Sequence, residues 1–172
     1  MTSILLTGVP GAGKSTVCEA LDERGHRAID LEAVPGLCTF VDPVTGDHIA
    51  EDMEDPVVLD RGEWRWDERR LRRLLADHDD QTTVFAGTAS NALDLRSCFD
   101  EVVLLEVSAA VMRRRLTARN GFGRTESVQE HILSWKEWWE DQIRATGAIS
   151  VDANGSVADT LVRVESVVID AH

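Results

Sequence analysis

Several residue types are scarce in this chain of 172 residues, and each scarcity excludes a class of protein. Only three cysteines are present, at positions 18, 38 and 98, in an odd number and without the spacing of a metal site. A disulfide scaffold and a cysteine-ligated metal site are therefore excluded, and we expect reduced thiols in a cytoplasmic protein. Internal repeats and low-complexity segments are also lacking, so we expect a single globular domain over residues 1–172.

Positive charge is scarce as well. The chain has 18 lysines and arginines against 31 acidic residues, for a net charge of −13. This balance argues against nucleic acid or an anionic membrane as the main partner, so the four arginines within residues 69–73 are interpreted as a solvated helix face. No apolar run is long enough to cross a membrane, and no signal peptide precedes the first predicted strand.

The clearest motif lies at residues 8–16, the phosphate loop, where the sequence matches Gly, four residues, then Gly-Lys-Ser/Thr. Glycines let such a loop turn its N–H groups onto phosphate oxygens, and the following helix points its positive end at the same anion. Lys14 can reach the outer phosphates, and the Ser15 hydroxyl can bind Mg²⁺. ATP and Mg²⁺ are therefore the predicted cofactors. The predicted nucleotide-binding residues are Gly8, Pro10, Gly11, Ala12, Gly13, Lys14, Ser15 and Thr16, joined by Arg115.

Short apolar runs alternate with segments of helical periodicity, which predicts an α/β fold with a parallel sheet of about five strands and helices on both faces. Ligands bind beyond the carboxyl ends of such strands, so Gly8, Asp30 and Gly87 should line one site. Residues 31–66 lack clear periodicity and are interpreted as an acceptor-binding insertion. A small hairpin around the turn at residues 42–47 is expected there. Predicted strands cover residues 4–6, 26–29, 82–86, 101–107 and 148–151.

Two carboxylates follow the second predicted strand, and their roles stay open at this point. Asp30 can hold Mg²⁺ through water or accept a proton from an attacking hydroxyl, and Glu32 is a candidate for the same site. Ser15 and Asp30 are the predicted metal-binding residues. The predicted substrate-binding residues are Asp30, Glu32, Arg61, Trp64, Gly87 and Asn91.

Cations are also needed around a transferred phosphoryl group. Arg115 and Arg119 share one helix stripe, and Arg124 follows in a glycine-rich break at residues 120–126 that is predicted to form a short lid. The predicted catalytic residues are Lys14, Asp30, Arg115, Arg119 and Arg124.

The chain has five tryptophans and no tyrosine. Trp135 and Trp139 fall in register with apolar positions of the last long helix, which predicts core packing. Trp64 and Trp66 lie in the irregular segment and could stack on a planar or apolar substrate group.

On these motifs the sequence resembles small P-loop kinases of the nucleoside-monophosphate-kinase and shikimate-kinase group. Arg115 and Arg119 resemble the paired lid arginines of adenylate kinases, which implies that one stacks near adenine and the other contacts phosphates. Residues 30–32 resemble the Asp-x-Asp of shikimate kinases, which implies Mg²⁺ coordination by Asp30 and substrate or base duty for Glu32. The stretches 85–91, 99–105 and 122–125 are most similar to actinobacterial proteins described as AAA-family ATPases or kinases. The implied fold is a three-layer P-loop nucleoside triphosphate hydrolase fold.

The acceptor region departs from that of adenylate kinases, because residues 31–66 offer only Arg61 and Arg65 to hold a second phosphate, together with many acids. The favoured function is an ATP- and Mg²⁺-dependent phosphotransferase acting on the hydroxyl of a neutral or amine-bearing small molecule. A nucleoside monophosphate kinase and a nucleotide-binding regulatory or assembly ATPase remain alternatives. Either a monomer or a homodimer is expected.

Overall fold

The computed structural model describes residues 2–78 and 80–170. Its elements alternate as predicted, with two short 3₁₀ turns at Leu31–Ala33 and Arg96–Cys98. In chain order the strands and helices are β1 (Ser3–Thr7), α1 (Lys14–Glu23), β2 (Arg27–Asp30), β3 (Cys38–Val41), α2 (Pro56–Arg61), β4 (Glu63–Trp66), α3 (Glu68–Ala76), β5 (Thr83–Ala86), β6 (Glu101–Glu106), α4 (Ala109–Ala118), α5 (Glu126–Ala145), β7 (Ile149–Asp152) and α6 (Val157–Asp170).

Five strands form one parallel sheet in the order β2-β5-β1-β6-β7, which confirms the predicted α/β class. Asp30 is in register with Ala86, and Ala86 with Leu6, so β2, β5 and β1 end at the same edge. The chain moves outward from β1 to β2 and later crosses β1 to reach β6. Strand order therefore reverses beside β1, and ligands of open α/β sheets bind at such a point.

The core is centred on the middle of this sheet. Residues 4–6 of β1, 84–86 of β5 and 102–105 of β6 are all buried. Strands covered by helices on both faces have continuous apolar runs of this kind, because neither face meets water. The buried core holds the carboxyl edge of the sheet, and hence the phosphate loop, in a fixed position.

Short polar side chains begin the helices on either side of residues 120–126. The Ser108 hydroxyl accepts the N–H of Val111 at 3.2 Å and caps α4. The Thr125 hydroxyl accepts the N–H of Val128 at 3.4 Å and caps α5. Capping satisfies an N–H that has no partner within the helix.

Residues 31–66 form more regular structure than the sequence indicated. The predicted turn at 42–47 is present, with the N–H of Asp42 bonded to the Asp47 carbonyl at 2.9 Å. The predicted pairing beside this turn is present in part, as an antiparallel bridge between Val41 and His48 and a 2.9 Å bond from the Ile49 N–H to the Phe40 carbonyl. The full strand partner of β3 is β4, which was not predicted. Helix α2 was not predicted, because six residues are too short to show a helical period. The segment therefore presents a small sheet and a helix to the site.

Within residues 2–78 and 80–170, none of the helices combines the length and the hydrophobicity that crossing a membrane requires.

Candidate active site

A cleft of about 920 Å³ opens at the carboxyl edge of the parallel sheet. The phosphate loop lines it from Pro10 onward, together with Glu32 after β2 and residues 88–90 after β5. Side chains from the 31–66 segment, from the end of α4 and from α5 complete the walls. The cleft thus lies at the predicted carboxyl edge, beside the strand-order reversal, but Gly8, Asp30 and Gly87, which were expected to line it, do not.

Two glycines give the phosphate loop its close packing. A Cβ on Gly8 would lie 2.7 Å from the Leu105 carbonyl oxygen and 2.9 Å from the Ala12 Cβ, so only glycine fits between β6 and the loop. Gly13 has a φ of 98° and directly precedes α1. That left-handed conformation favours glycine and lets the chain turn from the loop into the helix.

Lys14 is buried and folds back over its own loop. Its Nζ donates to the carbonyl oxygens of Gly8 at 2.8 Å and Val9 at 3.2 Å. Burial lowers the pKa of Lys14 to about 8, while Glu32 raises it, Arg119 lowers it and Asp30 raises it. Because all three charges affect the pKa of Lys14, the amine, the two carboxylates and Arg119 interact electrostatically at this end of the cleft.

The lowered pKa of Lys14 predicts a pH dependence for nucleotide binding. Triphosphate oxygens would favour the protonated amine, so binding above pH 8 should be accompanied by proton uptake. We expect ATP affinity to be constant below about pH 7 and to fall about tenfold per pH unit above 8. Calorimetry in buffers of different ionisation enthalpy measures both the affinity and the proton uptake. An affinity that is flat from neutral pH into the alkaline range would contradict this assignment.

Arg115 joins the phosphate loop to the loop after β7. One nitrogen donates to the carbonyls of Gly11 at 3.4 Å and Ala12 at 3.3 Å, and the other donates to Ala153 at 2.7 Å and Gly155 at 3.0 Å. Burial lowers the pKa of Arg115, as does the neighbouring Arg114. Arg115 therefore lines the cleft as a brace between two of its walls.

The structure brings two of the three predicted arginines together. Arg119 lines the cleft, and its guanidinium donates to the Phe122 carbonyl at 2.8 Å. Arg124 is exposed and lines a second, shallower depression beside Thr117 and Thr125. In this conformation of residues 120–126, Arg115 and Arg119 face the cleft and Arg124 does not.

The two carboxylates after β2 have different surroundings. Asp30 Oδ1 accepts the N–H of Glu32 at 2.9 Å and caps the 3₁₀ turn that follows. The Glu32 side chain is exposed and lines the cleft, whereas Asp30 does not line it. Glu32 is therefore the carboxylate placed to meet a bound acceptor.

A divalent cation at this site would need ligands beyond carboxylates. Among the described residues, no group of three or more His, Cys, Asp and Glu side chains could hold a metal ion. Ser15 is exposed at the start of α1 and lines the cleft beside Lys14. Its hydroxyl and the phosphate oxygens of a nucleotide are ligand types that Mg²⁺ takes. Asp30 does not line the cleft, so its role as a metal ligand stays a prediction.

The predicted substrate-binding residues divide into two groups. Trp64 and Glu32 line the cleft. Arg61 lies outside it and pairs with Glu51. Gly87 packs against Leu31 and Trp66, where an added Cβ would lie 3.0 Å from the Leu31 Cβ and 3.2 Å from the indole.

Asn91 also lies outside the cleft lining. Its side-chain amide accepts the N–H of Trp66 and donates to the Trp66 carbonyl, both at 3.0 Å. The Asn91 amide therefore pairs with the backbone of Trp66, at the end of β4, as a neighbouring strand would.

Several residues that line the cleft were not predicted. Thr88 lines the cleft, and its hydroxyl donates to the Gly8 carbonyl at 2.5 Å. Because Thr88 directly follows the β5 segment, the strand pattern could have predicted its place at this edge of the sheet. His131 lines the cleft and its Nδ1 lies 3.1 Å from Asp60 Oδ1. Trp135, predicted as core, is half-buried and lines the cleft. Trp139 is buried, as predicted, and also borders the cleft.

A carboxylate connects the 31–66 segment to residues 120–126. Glu54 accepts the N–H of Gly123 at 2.5 Å and the Thr125 hydroxyl at 3.2 Å. Phe122, which is adjacent to Gly123, lines the cleft, so this contact joins the two segments beside the cleft.

Known proteins share both the fold and parts of the sequence. A nucleotide-binding protein of Geobacter sp. (strain M21) is 29% identical over 134 residues, which are 75% of this chain and 42% of that protein. The shikimate kinase from Acinetobacter baumannii, solved in complex with shikimate, has a TM-score of 0.58 at 16% identity and covers 99% of this chain and 94% of its own. A gluconokinase from Sinorhizobium meliloti 1021 has a TM-score of 0.55 at 22% identity, covering 99% and 98%.

These structures show that the fold is the one on which small P-loop kinases are built, as the resemblance implied. The actinobacterial part of the resemblance stays a prediction. A family model described as an AAA domain matches residues 4–134, which include the phosphate loop and both cleft-facing arginines. The chain therefore belongs to the AAA domain family.

Proposed function

We propose that the protein is an ATP- and Mg²⁺-dependent phosphotransferase that moves the γ-phosphate to a hydroxyl of a small molecule. The observation that carries this proposal is a single cleft lined by Lys14 of the phosphate loop and by the 31–66 segment, which includes the Glu32 carboxylate. A pure nucleotide switch needs only the first of these. The solved kinases with this fold support the reaction class.

In the proposed reaction the acceptor oxygen attacks the γ-phosphorus while the bond to the β-phosphate oxygen breaks and ADP leaves. The hydroxyl proton passes to the Glu32 carboxylate, which lines the cleft. Lys14 and Arg119 stabilise the negative charge that develops on the transferred group. A bound Mg²⁺, held through Ser15 and, through water, by Asp30, would neutralise phosphate charge.

Residues 120–126 act as the lid in this proposal, within one domain whose acceptor-binding insertion is 31–66. Closure over the cleft excludes water, which would otherwise accept the phosphoryl group. The Glu54 contacts with Gly123 and Thr125 supply a physical link between acceptor segment and lid. Acceptor binding can thereby favour the closed arrangement.

The alternative of a nucleoside monophosphate acceptor is disfavoured by the charges of the acceptor side. A second phosphate needs arginines, yet Arg61 pairs with Glu51 and Arg65 lies 3.4 Å from Glu63. Neither arginine lines the cleft. A neutral or amine-bearing alcohol fits this side better than an anion does.

A coupled ADP-release screen tests the proposed function. The purified protein is given ATP, Mg²⁺ and either hydroxylated metabolites or nucleoside monophosphates. We expect ADP release to be stimulated by one or more neutral or amine-bearing alcohols. Robust turnover of AMP or CMP would instead identify a nucleoside monophosphate kinase. Slow ATP hydrolysis that only a protein stimulates would identify a regulator.

A further inference from the structure

Two apolar walls face each other across the acceptor side of the cleft. The first wall comes from the 31–66 segment and consists of Phe40, Leu59 and Trp64. The second wall comes from α5 and consists of Ile132, Trp135, Trp138 and Trp139. Five of these seven side chains are aromatic, and they border the space that an acceptor would enter.

A direct contact fixes the two walls relative to each other. His131 lies 3.1 Å from Asp60 at the end of α2, so this turn of α5 faces the acceptor segment. Positions 131, 135 and 138 share one face of a helix, because residues three and four apart are neighbours. Trp135 also packs edge-to-face on Trp139, with ring centroids 6.1 Å apart. The α5 tryptophans therefore face the same space as Trp64.

Aromatic side chains in such a position are unusual for a polar acceptor. Trp138 keeps 63% of its surface exposed although it borders the cleft. Exposed apolar surface of this size has a cost that ligand contact removes, and indole faces pack well against other flat rings. A flat apolar ring would cover these indole faces and remove apolar surface from water.

The charges on the acceptor side of the cleft also favour an acceptor without an acidic group. The carboxylates of Glu32, Asp60 and Glu63 line the cleft. In the part of the chain that the structure describes, the lysine and arginines that line the cleft are Lys14, Arg115 and Arg119, which belong to the phosphate loop or to α4 and its end. An acidic group on the acceptor would meet these carboxylates of the same sign, and Arg65, the arginine that lies 3.4 Å from Glu63, does not line the cleft.

We infer that the acceptor of the function proposed above is an alcohol that carries a flat apolar ring and no acidic group. The ring lies between the first and second walls, and its hydroxyl points toward Glu32. An amine on the acceptor is compatible with this site, because the three carboxylates are complementary to it. The inference rests on the proposed function for the role of the ligand, but the ring site itself can be measured without any turnover.

The test uses the five tryptophan indole N–H signals in a ¹H–¹⁵N NMR spectrum of the full chain, assigned with single Trp→Phe variants. Naphthalene-2-methanol is the ring-bearing probe, and shikimate and gluconate are the anionic alcohols. We expect the naphthyl probe to shift the signals of Trp64 and Trp135 at millimolar concentration, while the two anions leave them in place. Trp66 is buried and does not line the cleft, so its signal serves as the internal control.

Three variants separate ring contact from a general loss of structure. Trp135→Phe keeps an aromatic face and should retain probe affinity, whereas Trp64→Ala and Trp135→Ala should each weaken it about tenfold. An unmoved Trp66 signal shows that the variants are folded. The inference is overturned if the naphthyl probe moves neither signal, or if an anionic alcohol moves both with equal affinity.

Failure of the proposed function gives a different result. ATP binding is measured separately with the wild-type protein and with Lys14→Met, which should lose nucleotide affinity but still bind the naphthyl probe. Absence of ATP binding in the wild-type protein would contradict the phosphotransferase proposal but not the ring site. Normal ATP binding with no response to the naphthyl probe would contradict the ring site but not the phosphotransferase proposal.

Discussion

Replacing Lys14 with methionine is expected to lower phosphoryl transfer about 10³-fold, because a positioned cation that stabilises developing charge contributes on this scale. The fold should survive the change. The Lys14 amine is buried against two loop carbonyls, and burial lowers its pKa to about 8, so the charged amine gains little from folding. Turnover is measured by coupled ADP release and folding by thermal unfolding.

A matched control for Lys14→Met is Arg69→Met. Arg69 is exposed on α3 and does not line the cleft, so its loss changes net charge without touching the site. Its activity should stay close to that of the wild type. If Lys14→Met kept activity within a few-fold of wild type while folded, the assignment of the phosphate loop would be wrong.

Glu32→Gln is expected to lower turnover about 10²-fold or more at every Mg²⁺ concentration, since general-base assistance contributes roughly this much. Asp30→Asn should behave differently. Asparagine can still accept the Glu32 N–H and cap the turn, so the local structure is kept. Its loss of activity should be greatest when Mg²⁺ is limiting and should diminish with excess Mg²⁺, as expected for a carboxylate that holds the metal through water.

The control for both carboxylate variants is Glu19→Gln, on an exposed turn of α1 outside the cleft lining. Steady-state rates across a Mg²⁺ titration separate the two roles. If excess Mg²⁺ instead restored the activity of Glu32→Gln but not that of Asp30→Asn, Glu32 would be the metal-binding carboxylate and Asp30 the base.

Local patterns carried most of the fold prediction. The phosphate loop and the five strands of the parallel sheet were recognised from residues that are close together in sequence. The pairing of β3 shows the limit. The turn at 42–47 and the bridge beside it were predicted, but β3 also pairs with β4, from Val41 with Glu63 to Cys38 with Trp66. Turn chemistry near His48 contains no information about that distant partner.

The same distinction applies to the site. Glycine spacing predicted the position of Lys14, and strand ends predicted that Glu32 would lie near it. Helical periodicity correctly placed Trp135 on the stripe of α5 that includes buried Ile132. Whether that stripe meets core or cleft depends on α2, which packs beside it through the Asp60–His131 contact. Such a contact joins residues 71 positions apart and leaves no local signal in the sequence.

The fate of the γ-phosphate tests the central proposal most directly. The protein is incubated with ATP, Mg²⁺ and an alcohol that stimulates ADP release, and the mixture is followed by ³¹P NMR. The proposed function predicts a new phosphate monoester signal that grows in equal amount with ADP and is lost with Lys14→Met. Inorganic phosphate as the sole product beside ADP would contradict it, because the γ-phosphate would then have passed to water rather than to an acceptor.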